Sequence, residues 1–125
     1  MVVSEYILDS RKTSFTRYVW INLVINSIEA ISGLTDGPRE IVLRTVREDD
    51  HTLRVSIVDS GPGVKPEDLK LLFRPFFTTK KEGLGLGLPI SRSIIKALSG
   101  RLWAAPKPGG GTAMHFTLPV FQEDR

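Results

Sequence analysis

Blocks of helix alternating with antiparallel strand predict an α+β fold, a two-layer α/β sandwich whose mixed, mostly antiparallel sheet is covered on one face by about three helices. Three observations carry that prediction. A stretch free of glycine and proline runs to Ser32 with apolar residues at helical spacing, and Gly33 follows it. Two segments, 40–47 and 53–59, alternate in the manner of strands around the polar turn Asp49-Asp50-His51. A second apolar helical segment, 88–99, stops at Gly100 before two more strand-like segments.

Taken in order, residues 2–8 have strand composition, and Thr13 or Ser14 can cap the first helix, which runs to Ser32. On it Phe15, Val19, Leu23, Asn26 and Ala30 share a mostly apolar face, with Asn22 and Asn26 one turn apart beside it. The hairpin 40–47/53–59 ends in the turn Asp59-Ser-Gly-Pro-Gly63. Pro66-Glu67-Asp68 then opens a short helix ending near Phe73, and 74–85 form a loop. Strands at 101–105 and 112–120, separated by Pro108-Gly-Gly-Gly111, close the chain.

At 125 residues, 1–125 reads as a single domain able to bury a core without disulfides or a structural metal. It has no cysteine, which excludes thiolate catalysis, cysteine-bound zinc and iron–sulfur clusters. Its longest apolar runs, such as 19–25, are interrupted by Asn22, so no membrane insertion is expected and a cytoplasmic location is. The net charge of +3 is uneven: residues 65–107 carry 9 Lys/Arg against 3 Asp/Glu, whereas residues 1–64 carry 7 against 9. This local excess lacks the long basic run of a nucleic-acid groove and suits a small polyanion.

The basic segment surrounds Gly83-Leu-Gly-Leu-Gly-Leu88, three alternate glycines opening into a helix with Pro89 in its first turn. Such a loop cradles phosphate, because glycine lets backbone N–H groups approach an anion and a helix start leaves N–H groups free. Asp59, before Ser-Gly, is either the former of an Asx turn or a carboxylate acceptor for an adenine amine, which guanine cannot offer.

Five motifs in one order give a resemblance to the ATP-binding domain of bacterial sensor histidine kinases, within the superfamily that includes DNA gyrase and the ninety-kilodalton heat-shock chaperone. Trp20-Ile-Asn-Leu-Val-Ile-Asn-Ser-Ile-Glu-Ala30 resembles the N box and Asp59-Ser-Gly-Pro-Gly-Val64 the G1 box. Leu72-Phe-Arg-Pro-Phe-Phe-Thr-Thr-Lys80 resembles the F box, 83–88 the G2 box, and Gly110-Gly-Thr-Ala-Met-His-Phe-Thr-Leu-Pro119 the closing strand. The resemblance implies a Bergerat fold that holds ATP and Mg²⁺ for transfer to a histidine on a separate dimerisation domain, with a response regulator served indirectly.

Residue by residue, it implies a metal ligand at Asn26, a supporting amide at Asn22, and a lysine of the lid, Lys80 or its neighbour Lys81, at the transferring phosphoryl group. Asp59, Gly61 and Gly63 would hold the base. Phe77, Thr79, Lys80, Gly83, Leu84, Gly85, Leu86, Gly87 and Thr112 would complete the nucleotide site. Relatives resembling gyrase place a glutamate where Asn22 stands; a carboxamide is a poor base, so transfer is favoured over hydrolysis. The alternative is an ATP-dependent switch or an anti-sigma-type protein kinase module.

The sequence departs from the family's habits at Tyr18, Ser27, Ser99 and Glu29, the last where some relatives carry lysine. The N-box helix begins so early that the strand and helix usually leading into it are expected to be truncated or absent. The resemblance implies a phosphoacceptor histidine followed by an acidic residue; here Thr52 follows His51 and Phe116 follows His115, so the isolated chain is not expected to phosphorylate itself.

Overall fold

A computed structural model describes residues 6–7, 10–77, 85–119 and 121–122 of the chain. Strand β1 is Tyr6–Ile7, and helix α1 spans Ser10–Ser32, starting earlier than its expected cap because nothing in 10–13 breaks a helix. Strands β2 (Ile41–Asp49) and β3 (Thr52–Asp59) form the expected hairpin. Helix α2 is Gly87–Ala97; β4 is Leu102–Pro106, β5 is Thr112–Pro119, and β6 is Phe121–Gln122. The sheet runs β2-β3-β5-β4 with every pairing antiparallel, while β1 and β6 pair separately.

The short helix expected from Pro66 to Phe73 is instead two 3₁₀ turns, Pro66–Asp68 and Leu71–Phe73. Their bonds close over three residues, Leu69 N–H to Pro66 O and Arg74 N–H to Leu71 O. Pro75 stops the second, because the residue before a proline is pushed out of the helical region; Arg74 is extended, at ψ 136°. At the end of α2 the expected glycine stop is divided between two residues. Ser99 takes the left-handed conformation, φ +67°, and Gly100 N–H reaches Ile95 O at 2.8 Å. Gly100 is required for a different reason: a Cβ there would lie 1.8 Å from the Thr117 carbonyl oxygen.

Both helices lie on one face of the sheet, α1 over β3 and α2 over β4 and β5, touching each other. Val19 and Leu23 of α1, Ile95 of α2, Val55 and Ile57 of β3, and Phe116 of β5 are wholly buried between the layers. Trp20 meets Phe116 edge-on at 6.0 Å between ring centroids. Phe15, expected on the buried face, is 54% exposed. It lies a turn beyond Val19 toward the helix N-terminus, past the end of the core cluster.

The helix layer stops short of β2. Leu43 pairs with Ile57 and shares its face, yet Leu43 is 53% exposed and Ile57 is 0%. None of the described helices is long and apolar enough to cross a membrane.

Candidate nucleotide-binding cleft

The cleft forms where α1 passes the ends of β3 and β5 and the start of α2. It has a volume of about 620 Å³ and is walled by one face of α1 between Asn22 and Ala30, by Asp59, Pro62, Gly63 and Val64 at and after the end of β3, by Leu72 and Phe77, by the first residues of α2, and by Thr112 and Met114 of β5. Its closed end is Asp59, 5% exposed at the last position of β3 and paired in register with Thr112. Gly61 N–H donates to Asp59 Oδ1 at 2.8 Å. The Asx turn and the buried acceptor are therefore one structure: one oxygen fixes the turn and aims the carboxylate at the cleft.

Close approach rather than mobility explains the glycines here. A Cβ on Gly61 would meet Asp59 Oδ1 at 2.9 Å and Ala30 Cβ at 3.0 Å, so α1 and the turn can touch only without one. Gly111, at φ +111°, would place a Cβ 2.0 Å from the Asp59 carbonyl oxygen. The turn is also tied sideways: Ser60 Oγ donates to Pro38 O at 2.7 Å and accepts from Glu40 N–H at 2.8 Å.

The opposite end is built on the start of α2. The Gly87 and Leu88 N–H groups precede the first bond of the helix, Ile90 N–H to Leu86 O at 3.0 Å, and with Pro89 offering no N–H they form the positive end of the helix dipole. Asn22 Nδ2 donates to Ser91 Oγ at 3.0 Å, with Ser91 fully buried, and a Cβ on Gly87 would lie 2.5 Å from Asn22 Oδ1. Asn22 thus ties α1 to α2. Asn26, one turn on, lines the cleft between the two ends. Gly85, at φ +72°, accepts from Phe76 N–H at 3.0 Å, closing the F-box segment against the glycine loop.

Among the expected site residues the structure brings Asn22, Asn26, Asp59, Gly63, Phe77, Gly85, Leu86, Gly87 and Thr112 to one cleft, with Gly61 in the turn beneath it. Thr79, Lys80, Gly83 and Leu84, with the neighbouring Thr78 and Lys81, lie outside the described residues. Phe73 stands apart under the Arg92 guanidinium, 4.9 Å from the ring centroid. Ser91, Ala30, Ile25, Leu72 and Met114 were not anticipated. Ser91 alone carried a signal, a small polar residue one helical turn beyond Gly87 in an apolar helix.

Both histidines are remote from the cleft. His51 occupies the β2–β3 turn, at the end of β3 opposite Asp59. His115 points to the sheet face away from the helices, where Nδ1 is 2.7 Å from Ser56 Oγ and the ring lies against Trp103. Burial, then the charge of Arg54, holds its pKa below the usual 6.5.

A profile of the histidine kinase-, DNA gyrase B- and HSP90-like ATPases matches residues 12–122. The chain belongs to that family. Among relatives, it is 41% identical over 106 residues to the sensor protein FixL of Bradyrhizobium diazoefficiens, a match covering 85% of this chain and 21% of FixL. With sporulation kinase E of Bacillus subtilis the identity is 40% over 106 residues, 85% of this chain and 14% of the other. The chain therefore spans about a fifth or less of the length of these relatives.

Solved structures agree with this placement. The catalytic domain of the histidine kinase ThkA superposes with a TM-score of 0.73 at 36% identity, covering 85% of this chain and 66% of that one. The mycobacterial sensor histidine kinase MprB gives a TM-score of 0.76 at 25% identity, covering 88% and 73%. The α+β sandwich of this ATPase family is thus the architecture of the chain.

Proposed function

We propose that residues 1–125 are one catalytic domain that binds MgATP and positions its γ-phosphate for transfer to a histidine on the dimerisation domain of a parent sensor kinase, the first step of two-component signalling. The observation that carries this reading is the polarity of one cleft: a buried, pre-aimed carboxylate at one end and a helix N-terminus at the other. The Asp59 oxygen not held by Gly61 would accept the adenine amine. The start of α2 would face the phosphates.

Asn26 offers a neutral amide oxygen, the kind of hard donor that suits Mg²⁺ already shared with phosphate. When bound there, the ion would neutralise charge on the transferring group. Asn22, engaged with Ser91, would hold Asn26's helix against α2 and not activate water. Lys80 and Thr79 are assigned to the lid by motif alone. In the transfer, a partner imidazole nitrogen bonds to the γ-phosphorus as the β,γ-bridging P–O bond breaks, ADP departs with that electron pair, and the imidazole proton passes to a base on the partner.

Neither histidine of this chain borders the cleft, and the reading assigns the acceptor to another domain. The parent's response regulator would receive the phosphoryl group in turn, in the cytoplasm. With γ-labelled ATP and Mg²⁺, the chain alone should remain unlabelled, while an added histidine-bearing helical-hairpin domain of the same kinase should gain an acid-labile, base-stable phosphate. Label on the isolated chain, lost in His51→Ala or His115→Ala, would overturn the reading.

A further inference from the structure

Helix α2 buries two side chains completely, Ser91 and Ile95. Ile95 belongs to the apolar core between the layers. Ser91, one helical turn nearer the start of α2, holds a hydroxyl out of contact with solvent, which costs free energy unless the oxygen is hydrogen-bonded. Its partner is the Asn22 amide on α1, whose Nδ2 donates to Ser91 Oγ at 3.0 Å.

The same amide lies flat against Gly87, one turn before Ser91, where a Cβ would come within 2.5 Å of the amide oxygen. Asn22 thus meets α2 twice, by close packing at Gly87 and by a directional bond at Ser91. Farther along α1, Ala30 packs on Gly61, the residue whose N–H holds the Asp59 carboxylate. From position 22 to position 30 a helix rises about 12 Å. Helix α1 is therefore a spacer between the two ends of the cleft, seated on Gly61 at the Asp59 end and on α2 at the other. Packing of small groups tolerates sliding, whereas a hydrogen bond weakens steeply with misalignment, so the Asn22–Ser91 bond is the contact that fixes the spacing.

We propose that Ser91 is a positioning residue: acting through Asn22, it sets how far the start of α2 stands from Asp59 and so fits the cleft to a nucleotide that carries a phosphate chain. The inference rests on the nucleotide reading above and adds to it a residue that does not itself line the cleft. ADP has to reach both ends at once and is sensitive to their separation. Adenosine, which lacks the phosphates, engages the Asp59 end alone and is not.

Titration calorimetry with ADP and with adenosine, both in one Mg²⁺ buffer, on wild type, Ser91→Ala, Asn22→Ala and the double variant tests this. Alanine suits a helix interior and removes only the oxygen, so Ser91→Ala should fold, as urea unfolding checks. It should lower ADP affinity about tenfold and leave adenosine affinity within about twofold. In the Asn22→Ala background the same substitution should change ADP affinity no further, because its effect passes through the amide. Unchanged ADP affinity in Ser91→Ala overturns the proposal while leaving nucleotide binding intact. Equal loss for ADP and adenosine also overturns it, by making Ser91 a packing residue only, and so does an undiminished loss in the Asn22→Ala background. A wild type that binds neither ADP nor adenosine would overturn the nucleotide reading and this proposal together.

Discussion

The closed end of the cleft and the strand β2 begin from similar sequence and reach opposite outcomes. Both 40–47 and 53–59 alternate as half-buried strands should, yet β3 is buried along most of its length and β2 is exposed along most of its own. The difference is the layer above. The α1 helix covers β3 and leaves Leu43 open beside fully buried Ile57. Period-two alternation encodes a strand and its two faces, but which strand receives a helix depends on where distant residues such as Val19 and Leu23 pack.

The largest expected effect sharpens that contrast. Phe116→Ala, in the covered part of the sheet and in contact with Trp20, should cost about 3–5 kcal/mol in urea unfolding. Leu43→Ala, on the uncovered strand, should cost less than about 1 kcal/mol. Comparable losses at the two sites would mean that β2 is covered in solution.

The second test compares neighbouring glycines. Gly111→Ala forces a Cβ onto the Asp59 carbonyl at a left-handed residue, and about 3 kcal/mol or more should be lost, with nucleotide binding impaired. Gly109 has φ +88° but nothing within 4 Å, so Gly109→Ala should cost only the backbone strain, about 1 kcal/mol. Equal costs would show that packing against Asp59 contributes nothing.

Much of this site was legible because it lies at element ends, where residue chemistry is restricted. Asp59-Ser-Gly, Gly87 and the two helix asparagines are visible as departures from strand and helix pattern. Less legible were the roles that depend on a partner distant in sequence. Asn22 reads as part of a ligand shell, but its amide is 3.0 Å from Ser91, sixty-nine positions away, and only the packing of α1 on α2 makes them neighbours. Phe15 matched the helical period and is exposed, because periodicity does not say where the covering layer ends. The segment after Pro66 had helix-start signals, yet its bonds close over three residues rather than four and leave two 3₁₀ turns before Pro75.

A smaller effect distinguishes the sheet's outer face. His115 has its pKa lowered by burial and then by Arg54, so the fold favours the neutral ring. The unfolded chain then binds the proton more readily, and stability should be complete above about pH 6.5 and decline as pH falls from there toward the lowered native value. His115→Gln should flatten that slope in unfolding measured between pH 5 and about pH 8, without altering nucleotide affinity. A slope unchanged by the substitution would place the titrating group elsewhere.

Recognition of adenine by Asp59 is the claim on which the account of the cleft depends. Calorimetry with ADP and GDP in Mg²⁺, on wild type and Asp59→Asn, tests it directly. The wild type should bind ADP and discriminate strongly against GDP, and Asp59→Asn should weaken ADP by about 1–3 kcal/mol, because it can present a donor to the adenine amine where an acceptor stood. Equal affinity of the wild type for ADP and GDP, or an Asp59→Asn variant that keeps full ADP affinity, would contradict the account.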